Sequence, residues 1–307
     1  MAVESSKWWT KESVAVVTGA NKGIGFEIVR QLAENGFTVA LTARDADRGL
    51  RATKTLNEEG FTNVVFRELD IQNPHSISDF ASWLKDNYGA LDILVNNAAI
   101  LGSEKVKEIP TGALKHIPVD KFNDPILAKL SITNNEMSKN CFEINYYGTK
   151  RITEALLPLF RPEARIVNVS SEAGLLQWLR NDSLRQKLSD VSKITEEFID
   201  EMIEGFLDDM KNGELEEKGW PLVGPQYCLS KLAVNAYTRL LSRKLSDGEG
   251  KKIYVNSVHP GIVQTDMTRH FGMLTASQGA ESVVMLALLP PNGPSGQFFF
   301  IKEHSSF

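Results

Sequence analysis

The strongest constraint on the fold is a rhythm along the chain. Short apolar, β-branched runs recur at Val14–Val17, Thr38–Leu41, Val64–Phe66, Leu91–Val95, Arg165–Val169, Ile253–Val258 and Gln297–Ile301, with helix-length stretches between most of them. The runs are continuous rather than alternating. That suits strands covered on both faces, because a strand with one wet face would carry a polar residue at every second position. Helical patterns over Gly23–Asn35, Pro74–Tyr88 and Tyr227–Ser246 complete a β-then-α alternation. Parallel neighbours need crossover connections, so the expected fold class is α/β: a doubly wound, Rossmann-like parallel sheet with right-handed crossovers. An α+β chain would segregate its strands from its helices, and this one does not. No repeat or low-complexity linker divides it, and residues 1–307 read as a single domain.

Two segments break the rhythm. The stretch from about 100 to 139 carries Pro110, Gly112, Pro118 and Pro125 and reads as an irregular excursion after a strand. Loops of that length are usually functional or covering. In the second, from about 175 to 219, Ile199, Ile203 and Leu207 repeat at i+4 beside Phe198, Met202, Phe206 and Met210. Glu196, Glu197, Asp200, Glu201, Glu204 and Asp208 fall on the other side. This is an amphipathic helix, expected to lay its apolar face on its own domain.

Charge and cysteine content exclude several classes of function. With 34 basic against 39 acidic residues the formal charge is −5, which disfavours a phosphate-tracking nucleic-acid surface. No stretch approaches the roughly 18 apolar residues of a membrane span, and Met1–Lys7 lacks the apolar core of a secretory leader. Two cysteines, Cys141 and Cys228, give no disulfide framework, and Glu303–Phe307 matches no retention or peroxisomal address. A cytoplasmic protein with no nucleic-acid or membrane partner is expected.

The first run leads into Thr18-Gly19-Ala20-Asn21-Lys22-Gly23-Ile24-Gly25 and then a helical pattern. Glycines there allow a tight turn and bring a pyrophosphate against a helix N-terminus, whose free N–H groups and dipole favour anions. The G-x-x-x-G-x-G spacing lacks the G-K-[ST] ending of an ATP-cleaving loop. At the end of the second run, where a binder of unphosphorylated NAD usually carries an acid for the ribose 2′-hydroxyl, stand Arg44 and Asp45. A planar guanidinium suits a 2′-phosphate, with Lys22 as a second charge, so NADPH is expected over NADH.

Four further stations line up: Asn96-Asn97-Ala98-Ala99, Asn145, Ser170-Ser171 and Tyr227-Cys228-Leu229-Ser230-Lys231. With the glycine loop they resemble, in order and across essentially the whole chain, the N-N-A-G, asparagine, serine and Y-x-x-x-K stations of the short-chain dehydrogenase/reductase family. Ala99 departs from the family's glycine. Pro260-Gly261-Ile262-Val263-Gln264-Thr265 resembles the family's P-G-x-x-x-T turn over the nicotinamide. The gap from Ser171 to Tyr227 is much longer than in many members, because the acidic amphipathic segment fills it. That insertion, together with Val16–Ile28 and Gly293-Pro294-Ser295-Gly296, resembles the monomeric carbonyl reductases. It resembles still more a plant branch of salutaridine reductase-like and neomenthol dehydrogenase-like enzymes.

The resemblance implies reduction of a ketone on a terpenoid or alkaloid skeleton by a monomer. It implies Gly19, Asn21, Lys22, Gly23, Ile24, Gly25, Arg44, Asp70, Asn96, Lys231, Pro260, Gly261, Val263 and Thr265 as cofactor contacts. It also implies Asn145, Ser171, Tyr227 and Lys231 as the catalytic set, Ser171 being chosen over Ser170 because it stands three before Gly174. Such a reaction needs a proton for the nascent alkoxide, and a tyrosine near its reference pKa of about 10 is a sluggish donor. Lys231, four residues on, shares a helix face with Tyr227 and is expected to lower its pKa. Ser171 can donate to the carbonyl oxygen. By resemblance Lys231 also holds the nicotinamide ribose, and Asn145 holds a water that relays protons. Singly each residue is ordinary: serines cap helices, tyrosines fill cores and lysines solvate surfaces.

Two other readings stand beside this one. A related plant enzyme reduces a conjugated C=C bond, but with a changed tyrosine, and a regulatory relative would bind NADPH without turnover. The excursions at 100–139 and 175–219 are expected to cover the active site, with Leu175–Leu179 and Trp220–Val223 near the ketone. His75, His116, His259, His270 and His304 lack metal-ligand spacing and are expected to be solvated or capping, so no metal is anticipated. Cys228 is expected to be a small packed thiol.

Overall fold

A computed structural model describes residues 7–105, 123, 131–246 and 252–307. Pro110, Gly112, His116, Pro118 and Pro125 lie outside the described residues. The first strands are β1 Val14–Val17, β2 Thr38–Ala43, β3 Val64–Glu68 and β4 Leu91–Asn96. A short antiparallel pair, β5 Glu104–Lys105 and β6 Ser131–Ile132, follows. Then come β7 Phe160–Val169, β8 Ile253–His259, β9 Phe298–Phe300 and β10 Glu303–Ser305. Eight of these strands form one sheet in the order β10-β9-β8-β7-β4-β1-β2-β3, parallel except for the antiparallel edge strand β10. The doubly wound expectation holds, and continuous burial along β1, β4 and β8 explains their unbroken apolar runs.

Each face of the sheet has its own core. On one side α1 Gly23–Glu34 and α2 Ala46–Glu58 bury Ile28, Leu32 and Leu56 over β1 and β2, and α9 Ala276–Ala287 buries Val283 over β4, β7 and β8. On the other, α3 Pro74–Tyr88, α4 Asn135–Phe142, α5 Thr149–Leu156 and α8 Pro225–Ser246 bury Phe80, Phe142, Leu156 and Leu229. Local signals set the ends of α3. Asn73 accepts from the N–H groups of His75 and Ser76, Pro74 opens the helix where no N–H is needed, and Gly89 closes it at φ 70°.

The insertion contains α6 Asp182–Ser189 and α7 Glu196–Asn212. Thr195 caps α7, and its stripe buries Ile199, Met202, Ile203 and Phe206, with Leu207, Phe198 and Met210 partly covered. Phe206 meets Phe142 and Trp220 edge-on, and Glu196 pairs with Lys150 at 2.5 Å. The apolar face therefore packs on its own chain, as expected. No helix among the described residues is long and apolar enough to cross a membrane.

Candidate active site

β1 pairs with β2 on one side and β4 on the other, so the chain direction of winding reverses there and leaves a crevice beyond the strand ends. A cleft of about 770 Å³ occupies it. Gly19, at φ 61°, forms its floor. A Cβ there would lie 2.9 Å from Ala98, and one on Gly25 would lie 2.5 Å from Asn97 Nδ2, so only glycine lets the loop and helix approach this closely. α1 starts at Gly23 with no side chain capping its N-terminus. Its first N–H groups can thus receive an anion, and the glycine cradle fits a dinucleotide pyrophosphate.

Asn21, Lys22, Ile24, Arg44, Asp70 and Thr265 all line this cleft, together with Asn97 of the Asn-Asn-Ala-Ala station and with Arg48, which sequence reasoning did not single out. Asp45 lines the cleft beside Arg44, but its carboxylate is already engaged. Its carboxylate caps α2 by accepting from Arg48 N–H at 2.9 Å and also meets the Arg48 guanidinium at 3.2 Å. The Lys22 ammonium pairs with Asp266, also on the cleft, at 2.5 Å, in an exposed pair worth little energetically.

Asn96 lies elsewhere. It is buried beneath the cleft, donating to Asn168 at 2.8 Å and Thr153 at 3.0 Å. Its neighbour Asn97 faces the glycine loop and donates to the carbonyls of Thr18 and Gly19. Alternation along a strand explains the swap: successive residues point to opposite faces. Pro260, Gly261 and Val263 do not line the cleft either. Val263 is buried, and Gly261, at φ 87°, presses so near Leu274 that a Cβ would come within 2.5 Å; they hold the turn that presents Thr265.

α8 carries Tyr227 and Lys231 on one face, with the lysine ammonium 5.7 Å from the phenol ring centre. Ser171 follows β7, and its side chain is close enough to the Tyr227 phenol to favour the ionised form. Ser170 instead donates to the Lys231 main-chain oxygen at 3.4 Å, so the two serines are separated by what they touch. Gly174 explains the short turn after Ser171: a Cβ there would lie 2.5 Å from the Lys231 carbonyl carbon. The expected lowering of the tyrosine pKa is not what this geometry produces. Burial pushes the Tyr227 phenol above its ordinary value, with only the Ser171 side chain opposing. Lys231 does not reverse that upward push; its ammonium donates to the Val169 carbonyl at 2.8 Å, and burial pulls its own pKa down to about 8.

Asn145 sits in a π-helical turn, Glu143–Gly148, between α4 and α5. Its amide accepts from Ile100 N–H at 2.8 Å and donates to Ile100 O and to Ser230 Oγ, both at 2.9 Å. It thus ties the post-β4 chain to the tyrosine helix and makes no direct contact with Lys231. Cys228 is a buried thiol donating to Val223 O, pushed up to about 12 by burial, as a packed thiol should be. His259 is neither solvated nor capping. It ends β8 buried, 3.9 Å from the equally buried Glu172, and burial pulls it down to about 4. Trp178 is buried with its indole N–H on Glu172 O at 2.8 Å.

The short chain dehydrogenase family profile matches residues 13–118 and 216–273. Salutaridine reductase of Papaver bracteatum is 42% identical over 307 residues, covering 97% of each chain. Carbonyl reductase [NADPH] 1 of Mus musculus is 39% identical over 298 residues, covering 94% of this chain and 96% of its own. The solved structure of salutaridine reductase from Papaver somniferum superposes with a TM-score of 0.85 at 41% identity, covering 94% of this chain and 99% of that one. On fold, motif order and full-length similarity alike, the chain belongs to the short-chain dehydrogenase family.

Proposed function

We propose that the protein is an NADPH-dependent reductase that converts a ketone to a secondary alcohol, acting on cyclic substrates of terpenoid or alkaloid type. The observation that carries this reading is the Ser171–Tyr227 hydroxyl pair, with Lys231 four residues on, beside a cleft fitted to a dinucleotide. When bound, NADPH would supply the hydride that adds to the carbonyl carbon. As the oxygen gains negative charge, the Ser171 hydroxyl donates to it and Tyr227 gives up its proton. Lys231, held by Val169, keeps a positive charge near the phenol and draws the proton transfer forward. Arg44 at the cleft supports a 2′-phosphorylated cofactor, and the NADPH named for the mouse relative agrees.

The skeleton class is supported by the identity to salutaridine reductase, and a monomeric, cytoplasmic enzyme by the covered insertion stripe and the two unpaired cysteines. A C=C reductase is the second reading, favoured by 42% identity to (-)-isopiperitenone reductase of Mentha piperita and opposed by the intact Tyr227. An NADPH sensor would have no use for the proton-transfer groups. The test is purified protein with NADPH and a panel of cyclic monoterpenoid, alkaloid and aromatic ketones, with products identified. A secondary alcohol is expected. A saturated ketone formed from an enone would favour the second reading, and tight NADPH binding without turnover would favour the sensor.

A further inference from the structure

The chain leaving β4 has no strand partner among the described residues where it forms the cleft wall, and side chains meet its polar groups instead. Three consecutive carbonyls each take a different one. Ile100 O accepts from Asn145 Nδ2 at 2.9 Å, Leu101 O from Gln226 Nε2 at 2.9 Å, and Gly102 O from Thr133 Oγ1 at 3.1 Å. Ile100 and Leu101 line the cleft. Gln226 immediately precedes Tyr227, so a single side chain joins the wall to the residue beside the proton donor.

The Gln226 side chain is fully buried. The Leu101 carbonyl fixes which way its amide faces, because only the NH₂ end can donate to it. Oε1 is then left buried with no hydrogen-bond partner among the described residues. An orphaned buried acceptor is costly, and methionine would fill the same length without it, so packing alone does not account for glutamine here. The contact is also tight: Gly102 sits at φ 65°, where a Cβ would lie 3.2 Å from Gln226 Cγ and 2.5 Å from Cys141 Cβ.

We propose that Gln226 is a specificity-determining positioning residue, locking the Ile100–Gly102 wall to the residue before Tyr227 and so setting the width left for a ketone ring beside the phenol. The inference rests on the ketone-reductase reading above. No proton passes through Gln226, a neutral carboxamide whose NH₂ group donates to Leu101 O.

Gln226→Met keeps the length and removes the donor. Its kcat/KM for a bulky bicyclic ketone should change about tenfold relative to that for cyclohexanone, the scale of one lost hydrogen bond. The change should sit in KM, with kcat for the small ketone within about twofold and the NADPH Kd unaltered. An equal loss on both ketones, or a loss in kcat alone, overturns the proposal. Thr133→Val removes the neighbouring clamp and carries the same comparison if Gln226→Met does not fold. Hydrogen exchange at the amides of 101–103 should quicken in either folded variant, and unchanged exchange overturns the clamp whatever the substrate. A wild-type protein that reduces no ketone would instead fail the reading of function, leaving the clamp to be decided by exchange.

Discussion

The Lys231 ammonium donates to the carbonyl of Val169, the last residue of β7, at 2.8 Å. That bond ties the tyrosine helix to the strand end that precedes Ser170 and Ser171, so one contact sets the spacing of lysine, serine and phenol. The geometry comes at the cost of desolvating a cation.

Lys231 holds its proton to 10.5 when solvated and to about 8 in the fold. Between those values the unfolded chain binds more protons than the native one, so stability should rise with pH across that window. Below it both states are protonated and the penalty is complete. Lys231→Met abolishes the titration. The unfolding free energy of wild type minus that of the variant, from urea melts of cofactor-free protein, should therefore increase from pH 8 to pH 10. A flat difference would mean that the ammonium is well solvated.

Tyr227→Phe removes the hydroxyl that Ser171 contacts and leaves the cleft residues untouched. Reduction should fall by about 10²–10⁴-fold, the usual contribution of a positioned general acid, with NADPH affinity nearly unchanged. Steady-state kinetics and a fluorescence titration with NADPH check both halves. Near-normal kcat in a folded variant would remove Tyr227 from the mechanism.

Arg44→Asp tests the cofactor choice. A carboxylate would repel a 2′-phosphate and could accept from a ribose hydroxyl, moving the ratio of kcat/KM toward NADH. Asp45, the neighbouring carboxylate on the cleft, is engaged at the start of α2 in the wild type. An unchanged ratio would shift recognition to Arg48, which lines the same cleft and is largely exposed.

What the sequence made legible follows from how local each signal is. Pro74–Tyr88 was readable to the residue because its cap, proline and closing glycine are all nearest-neighbour chemistry. β7 begins at Phe160 rather than Arg165, since the polar Arg161-Pro162-Glu163 stretch enters the sheet through a register shift, with Glu163 at φ 66°. The π-helical turn around Asn145 has no compositional mark. Which of Asn96 and Asn97 faces the cleft depends on strand parity, and the burial of His259 on what β9 lays beside it: its ring stands 4.9 Å from Phe300. The i+4 spacing puts Lys231 on the Tyr227 helix face, but its bond to Val169 joins residues 62 apart in sequence, beyond the reach of any spacing rule.

The insertion yields the last prediction. Its stripe is covered within the chain: Phe206 is fully buried, edge-on to Phe142 at 5.6 Å and to Trp220 at 5.4 Å, while Trp220 Nε1 donates to Asp209 at 2.8 Å. A helix whose apolar face is satisfied in this way offers a second copy only its acidic side, and large exposed apolar patches are what drive association. The wild-type protein should therefore scatter light as a monomer at micromolar concentration, and a stable dimer would refute the blocking role. Phe206→Ala should lower stability by about 3–5 kcal/mol, the usual cost of emptying a buried aromatic site. If the helix were instead loosely attached, the loss in a urea melt would fall well short of that range. In that case the stripe could not be what keeps copies apart.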